Sequence, residues 1–242
     1  MAEFRIQIAG KTAAVTSLFD STKDYCRAYL TEEVPDFSVA VTREDLAFEQ
    51  ECLRQEAIEE GMKIRTFTDP FLDRAAIQRK VAENLLPQGV LLFHGSAVAL
   101  DGEGYLFTAH CGTGKSTHTR FWRQVFGDRA VMVNDDKPFL KLTDRGVLVC
   151  GAPWSGKHGL DSNISAPLQG ICLLHRGEEN RIRPALPEEL LPMLLHQCHC
   201  PPGQEDIFSQ RVSELAERTK LWLMHCTKSP EAAQAAYAAM HI

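Results

Sequence analysis

Tyr105-Leu-Phe-Thr-Ala109-His-Cys111-Gly112-Thr113-Gly114-Lys115-Ser116-Thr117 decides how this chain is read. A short apolar strand breaks into a glycine-rich turn. A helical run from Lys115 to Phe126 follows, with Phe121, Trp122, Val125 and Phe126 on or near one face. Ala109 to Ser116 fit the spacing of a phosphate-binding loop (P-loop), with Ala in the first place where Gly is commoner. Each position has a physical reason. Gly112 and Gly114 let the backbone turn its N–H groups inward around phosphate oxygens, where a side chain would intrude. Lys115 supplies a point charge to the terminal phosphates, and the Ser116 hydroxyl is a ligand for Mg2+. The following helix points its positive end at the same anion. A strand before and a helix after distinguish such a loop from an ordinary glycine-rich turn. The expected ligands are a nucleotide, ATP above all, and Mg2+, held by Cys111, Gly112, Thr113, Gly114, Lys115, Ser116 and Thr117.

Working outward, Ala130-Val-Met-Val133 reads as another strand, and Asn134-Asp135-Asp136 stands at its end. Paired carboxylates at a strand terminus suit a nucleotide site, where they hold Mg2+ and accept a proton from an incoming hydroxyl. The plain alternative is an Asx turn or cap ahead of Pro138. His94 interrupts the apolar run from Val90 to Leu100, one strand ahead of the loop. A lone His on a strand is usually a satisfied core or turn residue, but here it also stands where it would line the same cleft. Pro153-Trp-Ser-Gly156-Lys157-His-Gly159 has a cation between two glycines. It reads as a loop closing Lys157 over a transferring phosphate, or as a solvated turn with a buried Trp.

In this order, these pieces resemble the HPr kinase/phosphorylase and phosphoenolpyruvate carboxykinase superfamily. The resemblance rests on Phe93-His94-Gly-Ser-Ala97, Cys111-Gly-Thr-Gly-Lys-Ser-Thr117 and Val133-Asn-Asp135-Asp136, and covers residues 90–140. It implies an active-site role for His94, and metal binding and general-base work for Asp135 and Asp136, without saying which carboxylate does which. The segment around Trp154 and Lys157 is similar to HPr-kinase-like proteins of bacteria. Departures are Cys111 where Ser is usual and Lys137 after the acidic pair. The chain is also about half the length of a carboxykinase and lacks recognisable upstream Arg and Lys substrate residues, which argues against oxaloacetate decarboxylation.

The rest of the chain supports a mixed α/β fold: a central mixed β-sheet carrying the loop, flanking helices, and a small N-terminal α/β lobe. Residues 1–88 read as that accessory lobe and 89–242 as the nucleotide-binding domain. Phe4–Ile8 and Phe37–Val41 alternate like half-buried strands. Thr42 with Glu44 and Asp45 opens one helix, and Asp69-Pro70 opens another that stops at Pro87-Gln-Gly89. Val147–Cys150 is a further strand, and Ser229-Pro230 starts the last helix.

Composition narrows the function. With 44% hydrophobic and 24% charged residues the chain is globular rather than disordered, and its net charge of −6 argues against nucleic acid as a partner. No run of 18 apolar residues suggests a membrane span, and the N-terminus lacks a secretory signal pattern, so a cytoplasmic location is expected. The eight cysteines then read as reduced thiols. His196-Gln-Cys198-His-Cys200 crowds metal-ligand types together, but no second ligand pair accompanies it, so incidental or buried thiols are the expectation. The functional expectation is a kinase that moves a phosphoryl group from ATP or a related donor to a hydroxyl on a protein, peptide or small molecule. A non-catalytic nucleotide sensor is the alternative. Removal of phosphate in the reverse direction shares the same groups.

Overall fold

The computed structural model describes all residues except Glu60, Met62, Cys111, Lys157 and Ile242. Two of the site candidates above, Cys111 and Lys157, thus lie outside the described residues. The chain forms two compact units, Met1–Asn84 and Leu85–Ile242.

The first unit contains β1 (Ala2–Ile8), β2 (Lys11–Ser17), α1 (Asp20–Tyr25), β3 (Phe37–Ala40), α2 (Arg43–Glu59) and most of α3 (Asp69–Leu85). The alternation in β1 buries Phe4, Ile6 and Ile8 and exposes Arg5 and Gln7. β1 pairs antiparallel with β2, which pairs in parallel with β3. α2 starts where Thr42 and Asp45 cap each other: Asp45 Oδ2 accepts from Thr42 N at 2.8 Å, and Thr42 Oγ1 accepts from Asp45 N at 3.3 Å. Asp73 of α3 is fully buried and accepts from Ser17 Oγ and Thr22 Oγ1 at 2.6 Å and from Leu18 N at 2.9 Å. Three donors thereby offset the cost of burying that carboxylate.

The second unit runs β4 (Val90–Leu92), β5 (Ser96–Leu100), β6 (Glu103–Thr108), α4 (Lys115–Phe126), β7 (Ala130–Asn134), β8 (Phe139–Thr143) and β9 (Gly146–Cys150). It continues through β10 (Ser165–Arg176), β11 (Arg181–Pro184), α5 (Pro187–Gln197), α6 (Glu205–Arg218), β12 (Leu221–Cys226) and α7 (Pro230–Met240). Among the described residues these strands form one nine-stranded mixed sheet, ordered β4-β8-β9-β10-β6-β5-β7, with β12 beside β10 and β11 beside β12. The expected mixed α/β class and central mixed sheet are present, and the loop strand β6 lies inside the sheet, parallel to β10 and antiparallel to β5.

β10 carries the architecture. Its first residues, Ser165–Pro167, pair antiparallel with β9, and Leu168–Leu173 pair in parallel with β6 across an irregularity at Leu168/Gly170. Its second half also pairs in parallel with β12. Side chains alternate between two cores. Ile171 and Leu173 join Leu106, Val149, Leu190 and Phe208, on the face covered by α5 and α6. Cys172 and Leu174 join Phe107, Trp122, Trp222 and Ala233, on the face covered by α4 and α7. A strand apolar on both faces is what a helix-covered parallel region requires. Among the described residues no helix is long and apolar enough to cross a membrane.

Candidate functional site: a phosphate-type loop beside two carboxylates

β6 ends at Thr108, and Ala109, fully buried against the α4 face, starts the turn. Gly112 and Gly114 take φ of 71° and 123°, conformations that L side chains rarely adopt. Gly114 is the residue preceding α4, and its carbonyl accepts from His118 N at 2.9 Å. Lys115 opens the helix and donates through Nζ to Ala109 O at 3.1 Å, so its ammonium folds back over the loop. Ser116 and Thr117 follow within the first turn, where unpaired helix N–H groups favour an anion. From the neighbouring strand, Arg176 Nη2 donates to Gly112 O at 2.6 Å.

β7 delivers the acidic pair. Asn134 is completely buried, and its Nδ2 donates to Ala152 O at 2.8 Å and Trp154 O at 3.2 Å. Its Oδ1 accepts from Asp136 N at 2.8 Å and Lys137 N at 2.7 Å, so this one amide shapes the acidic turn and pins the segment after β9. The Asx-turn reading of this stretch therefore describes Asn134, while both carboxylates remain for other work. Asp135, 5% exposed, accepts from Ser96 Oγ at 2.7 Å, and Ser96 Oγ lies 2.7 Å from Thr119 Oγ1 on α4. That chain of hydroxyls ties the carboxylate to the helix carrying Lys115 and Ser116. Neither Ser96 nor Thr119 was singled out by the sequence reading.

Asp136 is half-buried, with Oδ1 3.4 Å from His94 Nε2. Burial pushes its carboxyl above the usual carboxylate range; Lys137 and Lys115 pull it down, and Asp135 pushes it up. His94 is held in place by its backbone, with N donating to Gln197 O at 2.8 Å and O accepting from Thr108 Oγ1 at 3.2 Å. Burial, then the charges of Lys137, Lys115 and His196, drive its imidazole down to about 2. His94 is therefore neutral at physiological pH, and its ring stands beside Asp136 without forming an ion pair. The electrostatic influence of Lys115 on both His94 and Asp136 places loop and carboxylates in one neighbourhood. Lys137, read from sequence only as a departure from pattern, is a second cation of this site.

Gly156 brings the segment after β9 against the pair, since a Cβ there would lie 3.2 Å from Asp136 Cβ. Gly151 is tighter still: an added Cβ would fall 1.9 Å from Ser162 O and 3.0 Å from Val133 O. Residues 160–164 bridge this point to the acidic turn, through Asp135 N to Leu160 O at 3.0 Å and Ser162 N to Val133 O at 3.1 Å. Gly151→Ala should consequently cost about 3 kcal/mol or more of stability, as overpacking against backbone does. Urea denaturation measures this, and a loss below about 1 kcal/mol contradicts the close approach.

The His196–Cys200 segment serves as a strap. His199 N donates to Leu92 O at 3.0 Å, Phe93 and Cys198 form an antiparallel bridge, and burial pushes the Cys198 thiol well up. Among the described residues no group of three or more His, Cys, Asp and Glu is arranged to hold a metal ion. The donors near the loop are instead carboxylates and the Ser116 hydroxyl, hard oxygens suited to Mg2+, which usually takes one or two carboxylates and completes its shell with phosphate and water.

No protein-family profile matches the chain, and no curated protein matches it in sequence. Among solved structures, the HPr(Ser) kinase/phosphatase from Coxiella burnetii aligns with 62% of this chain and 99% of its own, at 12% identity and a TM-score of 0.38.

Proposed function

We propose that the chain is a phosphotransferase that moves a phosphoryl group from ATP, or a related phosphate donor, to a hydroxyl on a protein, peptide or small molecule. One observation carries this reading: the hydroxyl chain Asp135–Ser96–Thr119 fastens an acidic strand end to the helix that starts at Lys115. A nucleotide sensor needs the loop but has no use for a carboxylate pair fastened beside it.

Phosphoryl transfer is catalysed chiefly by positioning and charge compensation. In this reading the N–H groups of Gly112, Thr113 and Gly114 and the ammonium of Lys115 hold the donor's phosphates. Ser116 and Asp135 hold Mg2+, with Asp136 available as a further ligand. Mg2+, when bound, neutralises charge on the donor phosphates. Asp136 is assigned the acceptor's proton, because Asp135 already has one oxygen engaged by Ser96. Neutral His94 orients Asp136 or the incoming hydroxyl by hydrogen bonding. Lys137 supplies positive charge nearby, and Lys157 is assigned to the transferring phosphate.

The test is release of ADP and phosphate from Mg-ATP over hours, with water as a slow acceptor, beside calorimetric affinity. Magnesium-dependent turnover supports the proposal. Tight binding with no turnover on water or any hydroxyl acceptor replaces it with the sensor reading.

A further inference from the structure

Lys137 stands directly after the acidic pair, and its backbone is fixed on both sides. Its N–H donates to Asn134 Oδ1 at 2.7 Å. The carbonyls beside it are taken by the chain ahead of β5: Gly95 N donates to Asp136 O and Phe93 N to Pro138 O, both at 3.0 Å. These two bonds continue the antiparallel register of β4 with β8, in which Leu92 pairs with Phe139. His94 and Lys137 therefore face each other between them, at the kind of position where cross-strand side chains stand closest.

The charge of Lys137 is the foremost one felt by both His94 and Asp136, ahead of Lys115. Among the described residues its ammonium nevertheless makes no hydrogen bond and no ion pair. Nor is it sealed away: Lys137 is half-buried, and its Nζ is not one of the buried polar atoms without a partner. The ammonium is thus open to a ligand. A compact charge with three donors, aligned by its backbone next to a base and claimed by no acid of the protein, suits an anionic group from outside.

We infer that Lys137 binds a carboxylate or phosphate group on the acceptor, which makes the acceptor a small hydroxyl compound carrying its own negative charge near the reacting hydroxyl. The inference rests on the phosphotransferase reading. Lys115 covers the donor's phosphates from the loop, whereas Lys137 stands across from His94 and beside Asp136, which is assigned the acceptor's proton. A hydroxyl delivered to Asp136 has its neighbouring substituent next to Lys137. A neutral polyol, or a serine in a neutral peptide segment, leaves that ammonium without use. In the transfer, the hydroxyl oxygen bonds the terminal phosphorus, its proton passes to Asp136, and the bond from phosphorus to the departing ADP breaks. Lys137 exchanges no proton; it selects the acceptor and sets where the hydroxyl lies.

The test follows ADP release from Mg-ATP by the full chain with glycerol, glycerate, glycerol 3-phosphate and a neutral serine peptide as acceptors. Glycerate or glycerol 3-phosphate should exceed both glycerol and the peptide by at least about tenfold in kcat/KM, and the better of the two identifies the anionic group. Lys137→Met should shrink that preference at least about tenfold, and Lys137→Arg should retain most of it. A ratio between acceptors does not move with a merely structural defect. Equal stimulation by charged and neutral acceptors, preference for the peptide, or release no faster than with water alone overturns the inference and leaves the phosphotransferase reading standing. A loss in Lys137→Met that is the same for charged and neutral acceptors also overturns it and moves Lys137 to the donor. No ADP release under any condition overturns the phosphotransferase reading and the inference with it. The wild-type comparison decides by itself if neither variant folds.

Discussion

Asp136→Asn should fold, bind Mg-ATP, and lose phosphoryl transfer or slow donor hydrolysis by about 10^2–10^4-fold, the usual contribution of a positioned general base. The substitution keeps the shape of the side chain. The turn beneath it persists because Asn134 Oδ1 holds the backbone N–H groups of residues 136 and 137. Asp135→Asn should behave differently. It leaves a side-chain oxygen for Ser96 but removes the negative charge assigned to Mg2+, so nucleotide affinity should become less dependent on magnesium. Phosphate release and calorimetry on both variants decide the assignment. If both match an active wild type, neither carboxylate is the base.

The Asp136→Asn variant carries a stability prediction of known sign. The Asp136 carboxyl is raised by burial, so the folded state prefers its protonated form more than the unfolded chain does. Its stabilising effect is fully present below the unfolded pKa and is lost as pH rises through the higher folded value. A neutral amide in its place has no charge to bury. Without Mg2+, Asp136→Asn should therefore melt close to wild type at low pH and above it at neutral pH. Thermal unfolding in a chelator across that range tests it. A variant less stable than wild type at neutral pH contradicts the burial argument.

Lys115→Ala should weaken Mg-ATP by at least about a hundredfold, since truncating one side of a desolvated charge pair costs 2–5 kcal/mol or more. The fold should hardly register the change. Lys115 is half-buried, and its ammonium donates to a loop carbonyl, Ala109 O, rather than to the sheet core. Calorimetry alongside a melting curve separates the two effects. Unchanged affinity and unchanged turnover reject the phosphate-loop assignment, whatever the acidic pair does.

What the sequence determined by itself was a set of elements with strong local signals, though not β2, β8, α5, α6 or β12, which went unread. The strand–glycine turn–helix of residues 105–126 was legible because its pattern is written in consecutive residues, and α4 runs from Lys115 to Phe126 as read. β1, β3 and α3, the strand ahead of Asp135, and the Ser229-Pro230 start of α7 were equally local, set by side-chain period, capping and turn chemistry. β10 was not legible. No strand was read there: its start is polar and holds Pro167, and only pairing with β9 on one side and with β6 and β12 further along makes twelve residues one strand. The site divides the same way. Lys115, Asp135, Asp136 and His94 announce themselves by residue type and spacing. Ser96 joins Asp135 across 39 positions and Thr119 across 23, and Arg176 reaches Gly112 across 64. A serine, a threonine and an arginine have no distinctive local pattern, so only chain return across the sheet selects them. The charge states were also decided by tertiary structure, because burial and distant cations, not neighbours in sequence, make His94 neutral and raise Asp136.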